Sequence, residues 1–180
     1  MKRSRVAKRY AQALFETALE KKQLERVEAD LKLLDTEYRQ SESFRQLIES
    51  PVIANPVKQQ TFEVAFQQHL QPLTFRFVSL LIGKNREMHL PQIIIDFSEM
   101  LDAHRGIIRG DVYSVVPLSE GQLRELKKRL DQETGKSVIL RQHIEESLLG
   151  GVMVRINDMI YDASLRNKLS KLRQNLIESR

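Results

Sequence analysis

Apolar positions recur at helical spacing along the first part of the chain. Residues 23–39 are the clearest case, because apolar residues there repeat at intervals of three and four with charges between them. These residues are Leu24, Val27, Leu31, Leu34 and Tyr38. Residues 4–20 carry a narrower stripe of mainly small side chains, which suits close helix packing. The stripe consists of Val6, Tyr10, Ala13, Leu14, Thr17 and Ala18. The pattern predicts two amphipathic helices at the start of the chain.

Prolines and glycines divide the rest of this region into four more helices. The residue before a proline is pushed out of the helical region, so Ser50-Pro51 ends a short third helix. Prolines open the fourth, fifth and sixth helices, and glycines end the last two. These residues are Pro56, Pro72, Pro91, Gly83 and Gly106. The sequence therefore predicts a six-helix bundle over residues 1–105.

The residue composition changes after Gly106, where β-branched residues become frequent. Three segments predict strands, and Asn157-Asp158 predicts a two-residue hairpin turn into a fourth strand. The strand segments are residues 107–117, 137–142, 150–156 and 159–162. A helix that Ser119 caps and Gly135 ends separates the first two strands.

The chain ends in a helix with a leucine repeat. Its spacing is four, three and four, which is typical of one apolar helix face. The residues are Leu165, Leu169, Leu172 and Leu176. The predicted fold is therefore mainly α, with the six-helix bundle followed by a small α+β domain over residues 106–180.

Composition excludes several kinds of chemistry. The chain has 180 residues and no cysteine, so disulfides, thiolate metal sites and thiol nucleophiles are absent. The four histidines lie far apart in the sequence without metal-ligand spacing, which predicts no metal site. No apolar run approaches the roughly 20 residues of a membrane-spanning helix, so we expect no direct membrane insertion.

The motifs that resemble catalytic sites are incomplete. Thr134 to Ser137 resembles the end of a phosphate-binding loop, but Leu130 stands where that loop needs its first glycine. Gly150-Gly151 lacks the third glycine and the strand-to-helix frame of a dinucleotide site, so close backbone packing or a sharp entry into a strand explains it better. Asp111, Asp158 and Asp162 fall at predicted strand ends, where carboxylates could pair for acid–base work, but no nearby histidine or lysine constellation completes a site. We predict a binding module without catalytic residues or cofactors.

Positive charge leaves one alternative open. The formal net charge is +5, and five basic residues precede the first acid, Glu16. They are Lys2, Arg3, Arg5, Lys8 and Arg9. Such a cluster is compatible with a basic helical nucleic-acid-binding protein, although the remaining excess is spread thinly along the chain.

Two segments resemble the delta subunit of bacterial and chloroplast ATP synthases, called the oligomycin-sensitivity-conferring protein in mitochondria. KRYAQALFETAL, residues 8–19, is similar to the family's first helix, and residues 138–169 follow its strand, acidic residue, double glycine and strand. SPVI, GKNR and VYSVVPLS lie between them in the family's order. Glu145 and Asn157 are mild departures, since aspartate and glycine are common there.

The resemblance implies a non-catalytic connector in proton-driven ATP synthesis. Its N-terminal domain would bind N-terminal helices of the alpha subunits in the catalytic head, in a groove between the first and fifth helices. A bundle of amphipathic helices can accept a further helix in this way. The expected groove residues are Val6, Tyr10, Ala13, Leu14, Phe77, Leu80 and Leu81. Bundle core is an equally good interpretation for Leu14 and Leu81.

The resemblance also implies a partner for the C-terminal domain, the b subunits of the peripheral stalk. The leucines at 165, 169, 172 and 176 are the expected contacts, with packing on the small sheet as the alternative. One copy per complex is expected, at the cytoplasmic face of the cell membrane and without nucleic acid.

Overall fold

The computed structural model describes residues 5–156 and 159–178, without the side chains of residues 173 and 175–178. The chain divides into two compact units, Met1–Leu101 and Asp102–Arg180. Within the described residues there are eight helices and a four-stranded sheet, as the predicted mainly-α fold class requires. The helices are α1 Arg5–Glu20, α2 Leu24–Gln40, α3 Glu42–Glu49, α4 Asn55–Phe66, α5 Pro72–Gly83, α6 Leu90–His104, α7 Glu120–Thr134 and α8 Leu165–Glu178. The strands are β1 Ile107–Ser114, β2 Ser137–Ile144, β3 Val152–Ile156 and β4 Met159–Asp162.

Helix α1 packs into the first unit through very small side chains. Ala7, Ala11 and Ala18 have no exposed surface, and Leu14 is 2% exposed. This buried face shares Leu14 and Ala18 with the predicted stripe but adds Ala7 and Ala11, because alanine contributes little to a hydrophobic pattern. Helix α1 therefore presents two adjacent apolar faces, and only one of them belongs to the core.

Phenylalanine rings join α3, α4 and α5. The Phe62 ring stacks between Phe66 and Phe75 at centroid distances of 5.1 and 5.5 Å, and Phe44 lies 5.0 Å from Phe66. Such pairs add about 0.5–1.5 kcal/mol each beyond the burial of their area. The aromatic cluster fixes the packing of these three helices.

A buried carboxylate connects α2 to the start of α5. Asp30 is 7% exposed, and its Oδ2 accepts a hydrogen bond of 2.9 Å from the backbone N–H of Gln71. Gln71 immediately precedes α5 and has no capping side chain of its own. A side chain from a neighbouring helix therefore satisfies a backbone donor at the helix start, where donors otherwise lack partners.

The second unit is a mixed sheet covered by α7. The strand order is β2-β1-β3-β4, with β1 parallel to β2 and antiparallel to β3. Helix α7 is the crossover that a parallel pair needs. Its Leu130 joins Val112, Val138, Val154 and Ile156 in the core. The opposite face of the sheet carries the alternate residues of each strand.

Local signals at the ends of α7 behave as predicted. Ser119 and Gln122 form a capping box, in which the Ser119 side chain accepts from the Gln122 backbone and the Gln122 side chain accepts from the Ser119 backbone. Gly135 ends the helix in the left-handed conformation at φ +66°. The predicted hairpin turn at Asn157-Asp158 lies outside the described residues.

The glycine pair packs against the segment that leads into α8. Gly151 has φ +76°, and a Cβ there would lie 2.5 Å from the carbonyl oxygen of Ala163. A Cβ at Gly150 would lie 2.6 Å from a methyl carbon of Leu165. The Leu165 N–H also donates to the Gly150 carbonyl at 2.9 Å. Close backbone approach, as predicted from the sequence, accounts for Gly151, whereas the nearest atoms at Gly150 belong to the Leu165 side chain.

Substitution of these glycines should separate steric cost from conformational cost. Gly135 also has a positive φ but has open space around it, so Gly135→Ala should cost about 1–2 kcal/mol. Gly151→Ala adds a clash with backbone and should cost at least about 3 kcal/mol. Hydrogen exchange of the β1 and β3 amides measures both values. Equal losses for the two variants would contradict the close approach at Gly151.

Candidate protein-binding site

A cleft of about 340 Å³ opens beside the outer face of α1. The described residues that line it are Val6, Arg9, Tyr10, Ala13 and Arg86. Four of them belong to α1, and Arg86 belongs to the segment that follows α5. The cleft therefore combines an apolar stripe with two cationic side chains. Its volume suits a few side chains of a docked segment.

Three predicted groove residues line this cleft, and a fourth supports it. Val6, Tyr10 and Ala13 are among the lining residues. The Tyr10 ring packs edge-on against the Phe77 ring of α5, with 6.3 Å between the centroids. Phe77 itself is 9% exposed. The aromatic pair thus joins the first and fifth helices next to the cleft.

The other three predicted groove residues lie elsewhere. Leu14 and Leu81 are 2% and 0% exposed and belong to the bundle core, the interpretation that the sequence left equally open for them. Leu80 is 49% exposed on α5 but is not among the lining residues of the cleft. An exposed leucine beside a buried one means that α5, like α1, has one face in the core and one outside it.

Sequence reasoning missed the two arginines. Arg9 was noted for its charge alone, and Arg86 only as part of the GKNR segment. Helical periodicity ignores charged residues, and no local signal shows that the turn after α5 reaches the first helix. The tertiary packing of the bundle brings the two side chains to one cleft.

A buried ion pair anchors the segment that carries Arg86. The Lys58 ammonium lies 2.5 Å from the Glu87 carboxylate, and the two side chains are 3% and 8% exposed. The backbone N–H of Arg86 also donates to the Leu81 carbonyl at 2.8 Å. Asn85 has φ +55°, which turns the chain sharply after α5. These contacts hold Arg86 at the cleft through its backbone.

Helix α8 displays the predicted leucine row at the surface of the second unit. Leu165, Leu169 and Leu172 are 47%, 58% and 59% exposed. The backbone of Leu176 continues the helix, but its side chain lies outside the described ones. Three leucines on one exposed helix face form an apolar patch of the kind that marks a protein interface. We call these three described residues the leucine row.

The start of α8 is fixed by polar contacts. The Ser164 side chain accepts from the backbone N–H of Asn167 at 3.2 Å, as an N-cap does. The backbone N–H of Ser164 donates to the Asp162 carboxylate at 2.9 Å. Hydrogen bonds from the Ser164 side chain and backbone lower the pKa of Asp162. The helix that carries the leucine row therefore has a defined first turn.

One aspartate that appeared isolated in the sequence has a histidine partner. Parallel pairing of β1 with β2 sets Tyr113 opposite His143, and the two rings stack at 5.1 Å. His143 Nε2 lies 2.7 Å from the Asp111 carboxylate. The adjacent cavity measures only about 80 Å³, well below the size of an ordinary substrate pocket. A histidine therefore lies beside Asp111, but a pair without a nucleophile or substrate pocket does not complete a catalytic site.

The described ranges, residues 5–156 and 159–178, hold neither a candidate metal site nor a candidate membrane span. No cluster of three histidine, aspartate or glutamate side chains could hold a metal ion there. No described helix combines the length and apolar character needed to cross a membrane.

Comparison with known proteins gives the family. The sequence model for the ATP synthase delta (OSCP) subunit matches residues 6–176. The ATP synthase subunit delta of Carboxydothermus hydrogenoformans is 35% identical over 177 residues, covering 98% of this chain and 99% of that protein. The corresponding subunit of Caulobacter vibrioides is 39% identical over 92% of this chain and 90% of its own. The chain therefore belongs to the ATP synthase delta (OSCP) subunit family, whose members are structural, non-catalytic subunits.

A solved structure shares the fold over nearly the whole chain. A chain in the cryo-EM structure of the Toxoplasma gondii mitochondrial ATP synthase hexamer superposes with a TM-score of 0.72 at 21% identity. The match covers 97% of this chain and 98% of that one. The resemblance stated from residues 8–19 and 138–169 is confirmed, and the nucleic-acid-binding alternative has no support.

The buried ion pair gives a prediction for the segment that carries Arg86. Lys58→Met should lower the free energy of unfolding by about 3–5 kcal/mol, because it leaves the Glu87 carboxylate buried and unpaired. The double variant Lys58→Met/Glu87→Leu should recover most of that loss, since no buried charge remains. Urea unfolding followed by far-ultraviolet circular dichroism measures both. A double variant as unstable as the single one would show that packing, not charge, determines the loss.

Proposed function

We propose that this chain connects the catalytic head of the ATP synthase to its peripheral stalk, using one unit for each partner. The cleft of the first unit binds an N-terminal helix of an alpha subunit. The leucine row of the second unit binds the b subunits. The observation that carries the proposal is the cleft, which contains Val6, Tyr10 and Ala13 on a face of α1 that the core does not use.

The geometry of the first unit supports a docked helix. An amphipathic helix binds a groove through apolar anchors at positions i, i+3, i+4 and i+7. Tyr10 offers a half-buried ring backed by Phe77 of α5. Leu14 and Leu81 contribute from beneath, since they hold the two helices in the core. The groove is formed in the free unit, which reduces the ordering cost of binding.

The second unit offers a different surface. The leucine row has the spacing of a helix–helix seam and needs a partner to leave water. Burial of apolar area contributes roughly 25 cal/mol per Å², so three half-exposed leucines supply a substantial part of an interface. Stalk helices with a complementary apolar stripe fit this surface.

The connector acts mechanically. Rotary catalysis exerts a reaction torque on the head, and the head must not turn with the rotor. A chain that binds the head at one unit and the stalk at the other resists that torque without any turnover of its own. One copy per complex, peripheral at the cytoplasmic face of the cell membrane, is sufficient for this role.

The cleft assignment is tested with the full chain and a peptide matching the alpha subunit's N-terminal segment. Tyr10→Asp should weaken binding at least about 30-fold, because truncation of a central aromatic anchor typically costs 2 kcal/mol or more. Isothermal titration calorimetry measures the change. Val64→Asp is the matched control, since Val64 is 84% exposed on α4 and does not line the cleft. Unchanged affinity of a normally folded Tyr10→Asp protein would refute the assignment.

The stalk surface is tested with a soluble segment of the b subunits. Leu169→Asp places a charge in the middle of the leucine row and should reduce binding at least about tenfold, while the alpha peptide binds as before. Val116→Asp is the control, because Val116 is 65% exposed in the same unit but lies outside α8. Analytical ultracentrifugation or calorimetry gives the affinities. Equal effects of the two substitutions would move the stalk contact away from α8.

A further inference from the structure

The cleft beside α1 has a charge pattern that an apolar groove does not need. Arg9 and Arg86 line it from two separate parts of the chain, and both side chains are exposed. Within the described residues neither has an ion-pair partner. A guanidinium presents five N–H donors in a planar fork that matches a carboxylate. Two guanidinium groups at one apolar cleft are therefore available to bind carboxylates.

Both arginines belong to backbone segments that packing and hydrogen bonds hold in place. Arg9 lies on α1 between the fully buried Ala7 and Ala11. Arg86 follows the left-handed Asn85, and its own N–H bonds to the Leu81 carbonyl. The next residue, Glu87, is fixed by its buried pair with Lys58. A preorganised cation loses less freedom when it binds an anion than one on a mobile loop does.

The charged residues among the described lining of the cleft, Arg9 and Arg86, are both positive. The described lining residues include no acid, and the sequence has none before Glu16. Glu16 itself accepts a hydrogen bond from the Gln12 side chain at 2.8 Å. Arg5 and Lys8 are further basic residues of α1 on the N-terminal side of Arg9. An acidic segment would complement this region, and a basic or neutral one would leave its charges uncompensated.

We propose that the cleft selects an amphipathic helix whose apolar anchors are flanked by carboxylates that pair with Arg9 and Arg86. The apolar stripe supplies most of the affinity, and the two arginines set the register of the docked helix and exclude helices without acids at those positions. This inference rests on the proposed function, because the helix in question is the N-terminal segment of the alpha subunit. It adds the chemistry by which that segment is recognised.

The test uses the full chain and two peptides. One is the alpha subunit's N-terminal segment, and the other has every aspartate and glutamate replaced by the corresponding amide. Titrations are made with the wild type, Arg9→Gln, Arg86→Gln and the double variant. Arg26→Gln is the matched control, because Arg26 is an exposed arginine on α2 that does not line the cleft. Circular dichroism verifies that each variant is folded.

Each cleft variant should weaken binding of the native peptide by about two- to fivefold, the range of partly exposed ion pairs, and the control should leave it unchanged. The amide peptide should bind more weakly to the wild type and should not distinguish the variants, because the effects of paired groups are not additive. The arginine effects should also shrink as salt rises.

Two results would overturn the inference in different ways. If the native peptide binds the wild type tightly, and the double variant or the amide peptide binds equally well, the arginines do not read carboxylates although the proposed function stands. If the native peptide fails to bind the wild type at all, the cleft is not the alpha site and both proposals are lost.

Discussion

Alanine packing along one face of α1 is the constraint on which the first unit depends. Ala7, Ala11 and Ala18 have no exposed surface, so the helix approaches its neighbours at close range. The larger apolar side chains of α1, Val6 and Tyr10, are thereby left on the adjoining face. A larger residue in the alanine face would displace the helix and with it one wall of the cleft. The orientation of α1 therefore determines both which of its residues enter the core and which line the cleft.

Buried polar groups determine position more than they determine net stability. The Lys58–Glu87 pair carries a desolvation cost that offsets much of its attraction, and one carboxylate oxygen of Glu87 has no hydrogen-bond partner within the described chain. Apolar residues of similar volume would serve stability as well. What they would not supply is a specific place for the turn after α5. Asp30 acts in a comparable way at the start of α5, where it selects one backbone N–H.

Features that depend on neighbouring residues were predictable from the sequence, and features that depend on distant contacts were not. The capping box at Ser119, the glycine stop at Gly135 and the leucine row are local patterns with a local cause. Arg9 and Arg86 line the same cleft only because the helices of the first unit pack together. Asp111 lies beside His143 because of the register between β1 and β2. The hydrophobic periodicity of the sequence indicates neither of these contacts.

Within the candidate site, too, the sequence predicts some residues of the cleft and not others. Tyr10 and Ala11 are adjacent in sequence, yet one lines the cleft and the other is fully buried, because successive helix residues are rotated by about 100°. Hydrophobic periodicity predicts which side of α1 is apolar but not where the core face ends and the cleft face begins. The predicted stripe therefore contained Leu14, which belongs to the core, and omitted Ala7 and Ala11, which complete it. Position around the helix, not side-chain size, separates the two faces, because the small Ala13 lines the cleft and the larger Leu14 is buried.

The alanine face has a consequence for elasticity. A methyl side chain has no rotamer to change, so a seam built from Ala7, Ala11 and Ala18 cannot yield by side-chain rotation in the way that leucines or methionines can. Close-packed interiors also have low compressibility. Helix α1 should therefore behave as a stiff spring element under load, with compliance residing in longer side chains and in other parts of the assembly. Elastic energy stored during rotation would then reside outside this alanine seam.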